Sequence, residues 1–212
     1  MDRLINMDTT KFFITTIIIS AVVGSLVTIG VTKLIDDSRG DSQEELIKDF
    51  YEVESAAHVS PHSIRTQLTK GGGDFILVDL RSAQEYEKEH IISAINVPAY
   101  KDPNTPAYEE VDRIVGQFRD IIEANPGKDI ITYCYSIPCM TGRKIGKILA
   151  EHDIYVKTLI TGWNEWRYYW DLWNHDGESP TKVEDYIWKG KDPGIPIARE
   201  LPSPCGDGEF SC

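Results

Sequence analysis

Cys134 and Cys139 stand where an apolar run, Ile130 to Cys134 (IITYC), gives way to an amphipathic one beginning at Thr141. The first run has the length and composition of a buried strand, and Ile145, Ile148 and Leu149 give the second a helical spacing. A thiol at a strand end, wrapped by a loop that runs into a helix N-terminus, faces converging N–H dipoles. Such surroundings lower a cysteine pKa from about 8.5 into a range of roughly 3.5–7.5, and the thiolate is the nucleophilic form. The chemistry this predicts is attack by sulfur through a covalent intermediate. Cys134, at the strand end, is the candidate catalytic nucleophile. Cys139 admits three readings: a resolving thiol that closes a disulfide onto Cys134, the nucleophile itself, or a small buried residue. Tyr135, Ser136, Ile137, Pro138, Met140, Thr141 and Gly142 complete the active-site loop, and Arg143, one turn into the helix, is the candidate anion-binding cation. A metal site is not expected here, because a C-x4-C spacing is not the C-x-x-C pair of zinc sites.

The elements that must position these residues are legible on either side. Phe75 to Leu80 (FILVDL) reads as a second strand buried on both faces, and a short strand is expected near Tyr155 to Ile160. Helical patterns cover Ala83 to Lys88, Glu109 to Ala124 and Thr141 to Glu151. Strands alternating with helices predict an α/β sandwich, in which ligands bind at the carboxyl ends of the strands, where Cys134 falls. Upstream, Ser60 and Pro61 open a short helix carrying Ile64 and Leu68, and Gly71 to Gly73 end it as a flexible turn. Ser42 with Glu45 forms a capping box for a helix reaching about Glu54.

The series Asp79-Leu80-Arg81, Glu85-Tyr86, His90-Ile91, Ala94 and Asn96-Val97-Pro98 resembles the D-x-R…E-Y…H-I…A-x-N-x-P signature of rhodanese-like domains. Tyr133-Cys134 is similar to that family's strand-end nucleophile, Ile145 to Ala150 to its post-loop helix, and Gly162-Trp163-Asn164-Glu165-Trp166 to its closing G-G-W-x-x-W motif. The resemblance covers residues 60–170. It implies a three-layer α/β/α sandwich with a central, mostly parallel sheet, and a thiosulfate sulfurtransferase-like activity in which Cys134 takes up sulfane sulfur as a persulfide. The implied partners are a small sulfur donor and a thiol or other nucleophilic acceptor, with no metal and no cofactor. The loop departs from the family's C-x-x-G-x-R-[ST]: it is two residues longer, lacks the internal glycine, and has Cys139 where the common loop has arginine. Non-catalytic binding and thiol–disulfide exchange by Cys134 and Cys139 are the rival readings. A phosphatase is excluded, since neither cysteine has the C-x5-R spacing. Asp79, Arg81 and His90 are expected as supporting scaffold, satisfied at strand and helix ends.

A formal net charge of −12 sets nucleic acid aside as a partner. Phe12 to Thr32 is an uninterrupted uncharged stretch between Lys11 and Lys33, long enough as a helix to cross a hydrocarbon core of about 30 Å. The expected division is an N-terminal flank (1–11), a single-pass anchor (12–35), a juxtamembrane connector and helix (36–58), the catalytic domain (59–175) and a tail (176–212). Cys205 and Cys212 in that tail fit a local disulfide, which favours an extracytoplasmic domain. Trp163, Trp166, Trp170 and Trp173 recur as one helical stripe, covering the core or, if exposed, docking a protein partner or the membrane surface. His58 and His62 read as loop and helix-start residues, because Pro61 breaks the helix that would align them on a metal. His152 and His175 are lone residues with surface or capping roles.

Overall fold

The computed structural model describes residues 2–38, 42–174 and 181–200. The chain divides into two compact units between Tyr51 and Glu52. In the first, helix α1 (Asp2–Ser38) contains Lys11–Thr32, 22 residues of mean hydropathy 2.3, long and apolar enough to cross a membrane by length and composition. Its hydroxyls turn back on the helix: Thr15, Thr16, Ser25, Thr28 and Thr32 each donate to the carbonyl four residues earlier at 2.8–3.0 Å. Those bonds satisfy polar groups without any outside partner, as an apolar surrounding requires. Helix α2 (Gln43–Ala57) opens on the expected capping box, with Ser42 N–H donating to Glu45 Oε2 at 2.8 Å and Glu45 N–H to Ser42 Oγ at 3.2 Å. It runs three residues beyond the expected end at Glu54.

The second unit is built on a five-stranded parallel sheet whose strands lie in the order His58–Val59, Lys157–Leu159, Asp129–Tyr133, Phe75–Asp79 and Ile95–Asn96. In chain order its elements are β1 (His58–Val59), α3 (Pro61–Thr69), β2 (Phe75–Asp79), α4 (Ala83–Lys88), β3 (His90–Ile91) and β4 (Ile95–Asn96). The hairpin β5 (Tyr100–Asp102) and β6 (Thr105–Pro106), α5 (Val111–Ala124), β7 (Asp129–Tyr133), α6 (Thr141–Ala150), β8 (Lys157–Leu159) and α7 (Trp163–Tyr168) follow. A 3-10 turn at Val183–Tyr186 leads into β9 (Ile187–Trp188). Alternation along β2 and β7 divides their side chains between two cores. Leu77, Ile131 and Tyr133 pack with Ile64, Leu68, Tyr86 and the tryptophans on one face, while Val78, Ile130 and Cys134 pack with Ile114, Phe118, Ile145 and Leu149 on the other. Each fully buried Leu or Ile here contributes about 1.5–3 kcal/mol relative to exposure.

Two sequence expectations are revised. The tryptophan stripe is not one helix, since α7 ends at Tyr168 and Trp170–Leu172 is a 3-10 turn. All four indoles are buried, Trp166 completely, with rings 5.4 Å apart between Trp166 and Trp170, so the stripe is core and not a docking face. The domain also does not stop at residue 175. Tyr186 is buried against Trp170, its hydroxyl 2.7 Å from Thr69 Oγ1, and β9 pairs antiparallel with β3. Arg199 N–H then donates to Thr69 O at 2.8 Å, so the chain straps the domain as far as that residue. Cys205, Cys212 and His175 lie outside the described residues.

Candidate functional site

Cys134 is the first residue past β7, held deep by the apolar contacts that make β7 the centre of the sheet; it is 6% exposed. The next four residues fold back, with Cys139 N–H donating to Ser136 O at 2.9 Å. This turn sets the two sulfurs 3.3 Å apart as free thiols. The loop is clamped from the segment opening α7. Trp163 N–H donates to Cys134 O at 2.7 Å, Asn164 N–H to Tyr135 O at 2.8 Å, and Glu165 accepts from Gly162 N–H at 2.9 Å and Ile137 N–H at 3.3 Å. Gly162 is required by this approach: a Cβ there would sit 2.2 Å from Ser136 N. That contact gives the closing Gly-Trp motif its physical purpose, which is to let loop backbone lie on helix-start backbone.

The electrostatics separate the two thiols. The hydrogen bond between the two sulfurs holds the Cys139 thiol down at about 5 against the cost of burial, assisted by the Thr141 hydroxyl and N–H at the start of α6. Cys134 is pushed well above the ordinary thiol range by the same bond to Cys139 and by its burial. Within the pair the more exposed sulfur is therefore the one favoured to carry a negative charge. Behind them Tyr100 and Tyr108 bring their hydroxyls to 2.8 and 2.7 Å from Thr141 Oγ1.

A cavity of about 280 Å³ opens over the sulfurs, lined by Cys134, Cys139, Ser136, Arg143, His58 and Thr161 among others. Arg143 is exposed, its Nη1 3.4 Å from Ile137 O, and is the cation available to an anion entering there. Thr161 is buried with its Oγ1 unpartnered. Of the other loop residues, Ile137 and Met140 are exposed, Gly142 is buried against Thr158, and Tyr135 donates from its hydroxyl to Glu85 Oε2 at 2.6 Å. Among the described residues no group of three or more His, Cys, Asp or Glu is arranged to hold a metal ion.

Asp79 and Arg81 lie at the neighbouring strand end, away from the cavity. Their ion pair is fully buried, with Arg81 Nη2 2.6 Å from Asp79 Oδ2, and Tyr133 donates to the same carboxylate oxygen at 2.6 Å. Burial alone would lower the Arg81 guanidinium, but the Asp79 carboxylate outweighs it and raises it. Arg81 also donates to Glu89 O at 2.7 Å and stacks over Trp163 at 4.2 Å. His90 is buried, its Nδ1 2.8 Å from Tyr86 O and its ring stacked on Tyr86, with its pKa lowered by burial. His62 starts α3 and meets Trp173 edge to face, and His152 Nδ1 lies 2.8 Å from Ile148 O.

Sequence reasoning missed part of the site. His58 is a strand residue, not a loop residue: it lies in the edge strand β1 and lines the cavity with Glu54, 3.8 Å from its Nδ1. A two-residue strand has no periodicity to read. Tyr100, Tyr108 and Thr161 were likewise unmarked, because long-range pairing alone brings them to the loop.

The sequence profile described as Rhodanese-like domain matches residues 60–168, about half of the chain. An HTH-type transcriptional regulator, Rv0324, of Mycobacterium tuberculosis is 32% identical over 95 residues; the chain spans 35% of that curated relative, and the match takes in 45% of this chain. Among solved structures, the BH2092 protein of Bacillus halodurans is 21% identical, with a TM-score of 0.44, over 70% of this chain and 88% of that one. A rhodanese from E. coli solved with anions is 22% identical, with a TM-score of 0.28, over 41% and 85% of the two chains. By its matched signature and its parallel-sheet architecture, the chain belongs to the rhodanese-like domain family.

Proposed function

We propose that the chain is a membrane-anchored sulfurtransferase that carries sulfane sulfur as a persulfide on Cys134. The observation that carries this reading is the sulfur of Cys134 at the end of the central strand, facing a cavity with Arg143 and within 3.3 Å of a second thiol sulfur. Cys134 loses its proton to solvent and attacks the outer sulfur of a donor such as thiosulfate. The S–S bond of the donor breaks, sulfite leaves, and Cys134 holds the persulfide. Arg143 and the free Thr161 hydroxyl are suited to binding the anionic donor, and Thr141 to steadying charge on sulfur. Anchoring through residues 12–35 is supported by the length and hydropathy of Lys11–Thr32.

The test is sulfite release from thiosulfate by the full chain in detergent micelles. Release is expected from the native chain and is expected to vanish in Cys134→Ser; release undiminished in that variant would refute the reading. The short sulfur–sulfur distance also favours a second reading, plain thiol–disulfide exchange, which would produce no sulfite.

A further inference from the structure

We infer that Cys139 resolves the Cys134 persulfide internally, so that the domain reduces sulfane sulfur to sulfide and is left with a Cys134–Cys139 disulfide that an external dithiol reopens. This rests on the persulfide reading above and adds the fate of the sulfur.

The step balances. The outer sulfur of the persulfide takes a proton from solvent, the Cys139 thiolate attacks the inner sulfur, the Cys134 Sγ–Cys139 Sγ bond forms, and the outer sulfur leaves with the electron pair of the broken bond. Hydrosulfide departs; the sulfane sulfur has gained two electrons and the two cysteine sulfurs have each lost one. A dithiol of low reduction potential then exchanges with the disulfide, leaving as its own disulfide and returning both cysteines to the reduced pair.

Three observations carry the inference. The sulfurs already lie 3.3 Å apart, so closure needs only about an ångström of movement to reach a disulfide bond of about 2.05 Å. The turn that brings Cys139 back is held by its own N–H to Ser136 O, while the Cys134 side is fixed by Trp163 and Asn164, so the approach is built into the loop. Finally, Cys134 is 6% exposed beneath a cavity of about 280 Å³. That space suits a small inorganic donor and a small leaving sulfide better than a protein-borne acceptor reaching down to the persulfide. The lowering of the Cys139 thiol favours the thiolate that the resolving step requires. Where the common loop of the family carries an arginine, this loop carries a reductant.

The experiment is an anaerobic single turnover of the full chain in detergent, with thiosulfate and no added thiol, reading sulfite, sulfide and the tryptic peptide Asp129 to Arg143. That peptide contains both cysteines and no other cleavage site. The native chain should release sulfite and sulfide in equal amounts, up to one each per chain, and its peptide should lose two hydrogens. Cys139→Ser should release no sulfide and keep one extra sulfur on the peptide. Sulfite without sulfide, with the extra sulfur retained by the native chain, overturns internal resolution and leaves the sulfurtransferase standing. Neither product overturns both. A peptide equally oxidised without thiosulfate also overturns the inference, since the disulfide would then owe nothing to a persulfide.

Discussion

The carboxyl ends of β2 and β7 lie side by side in register, Asp79 opposite Tyr133, yet they are finished in opposite ways. At β2 every charge is matched: the Asp79 carboxylate receives the Arg81 guanidinium, the Arg81 N–H and the Tyr133 hydroxyl, and a further Arg81 N–H goes to a carbonyl. At β7 the strand runs out into two thiols 3.3 Å apart under an open cavity. Saturation makes a brace and incompleteness makes a site. The brace supports the site, because Tyr133, which it holds, directly precedes Cys134.

The comparison is tested most severely at the brace. Asp79→Ala strands the Arg81 charge in the core and should destabilise the domain by about 3–5 kcal/mol, measured by denaturant unfolding; a loss under about 1 kcal/mol would mean that the pair is not a brace. Next in size is Gly162→Ala, where loop backbone must move out of the path of a methyl group. About 1–3 kcal/mol of stability should be lost, together with slower disulfide closure between Cys134 and Cys139 under a mild oxidant. A smaller effect concerns charge at the open end. Cys139 is held below its usual value, so its thiolate persists as pH falls and is lost only through about pH 5. Alkylation of Cys139 by iodoacetamide should therefore stay flat from about pH 8 to 6 and drop near 5, whereas in Cys134→Ala the drop should move up toward about 8.5. The smallest change is expected for Tyr108→Phe. It should cost under about 1.5 kcal/mol in stability while moving that same alkylation midpoint upward, because Thr141 loses one of the hydroxyl partners that orient it.

The brace was legible in sequence and the site only partly so. FILVDL and IITYC are continuous apolar runs, and both became central strands within one residue of their expected bounds, because a strand buried on two faces leaves no ambiguity of period. Ser60 and Pro61 likewise fixed the start of α3, where the Ser60 side chain accepts from His62 N–H. The cavity wall was not legible, since His58 and Thr161 reach it through sheet order and not through any local pattern. The strap escaped for a related reason. Its residues are polar, glycine-rich and proline-rich, and it is tied down by single anchors such as Tyr186 in place of a periodic face.

That strap also decides which edge of the domain is available for attachment. Arg199 binds beside the end of α3, next to Gly71 and the start of β2, which is the amino end of the sheet, whereas the thiols occupy the carboxyl end. A fluorophore or surface tether placed at Glu200 would thus sit on the far rim from the reacting sulfurs. The domain can be immobilised or labelled there with its cavity left open, and a cut made earlier, at Tyr168, would instead strip Trp170, Trp173 and Tyr186 from the core.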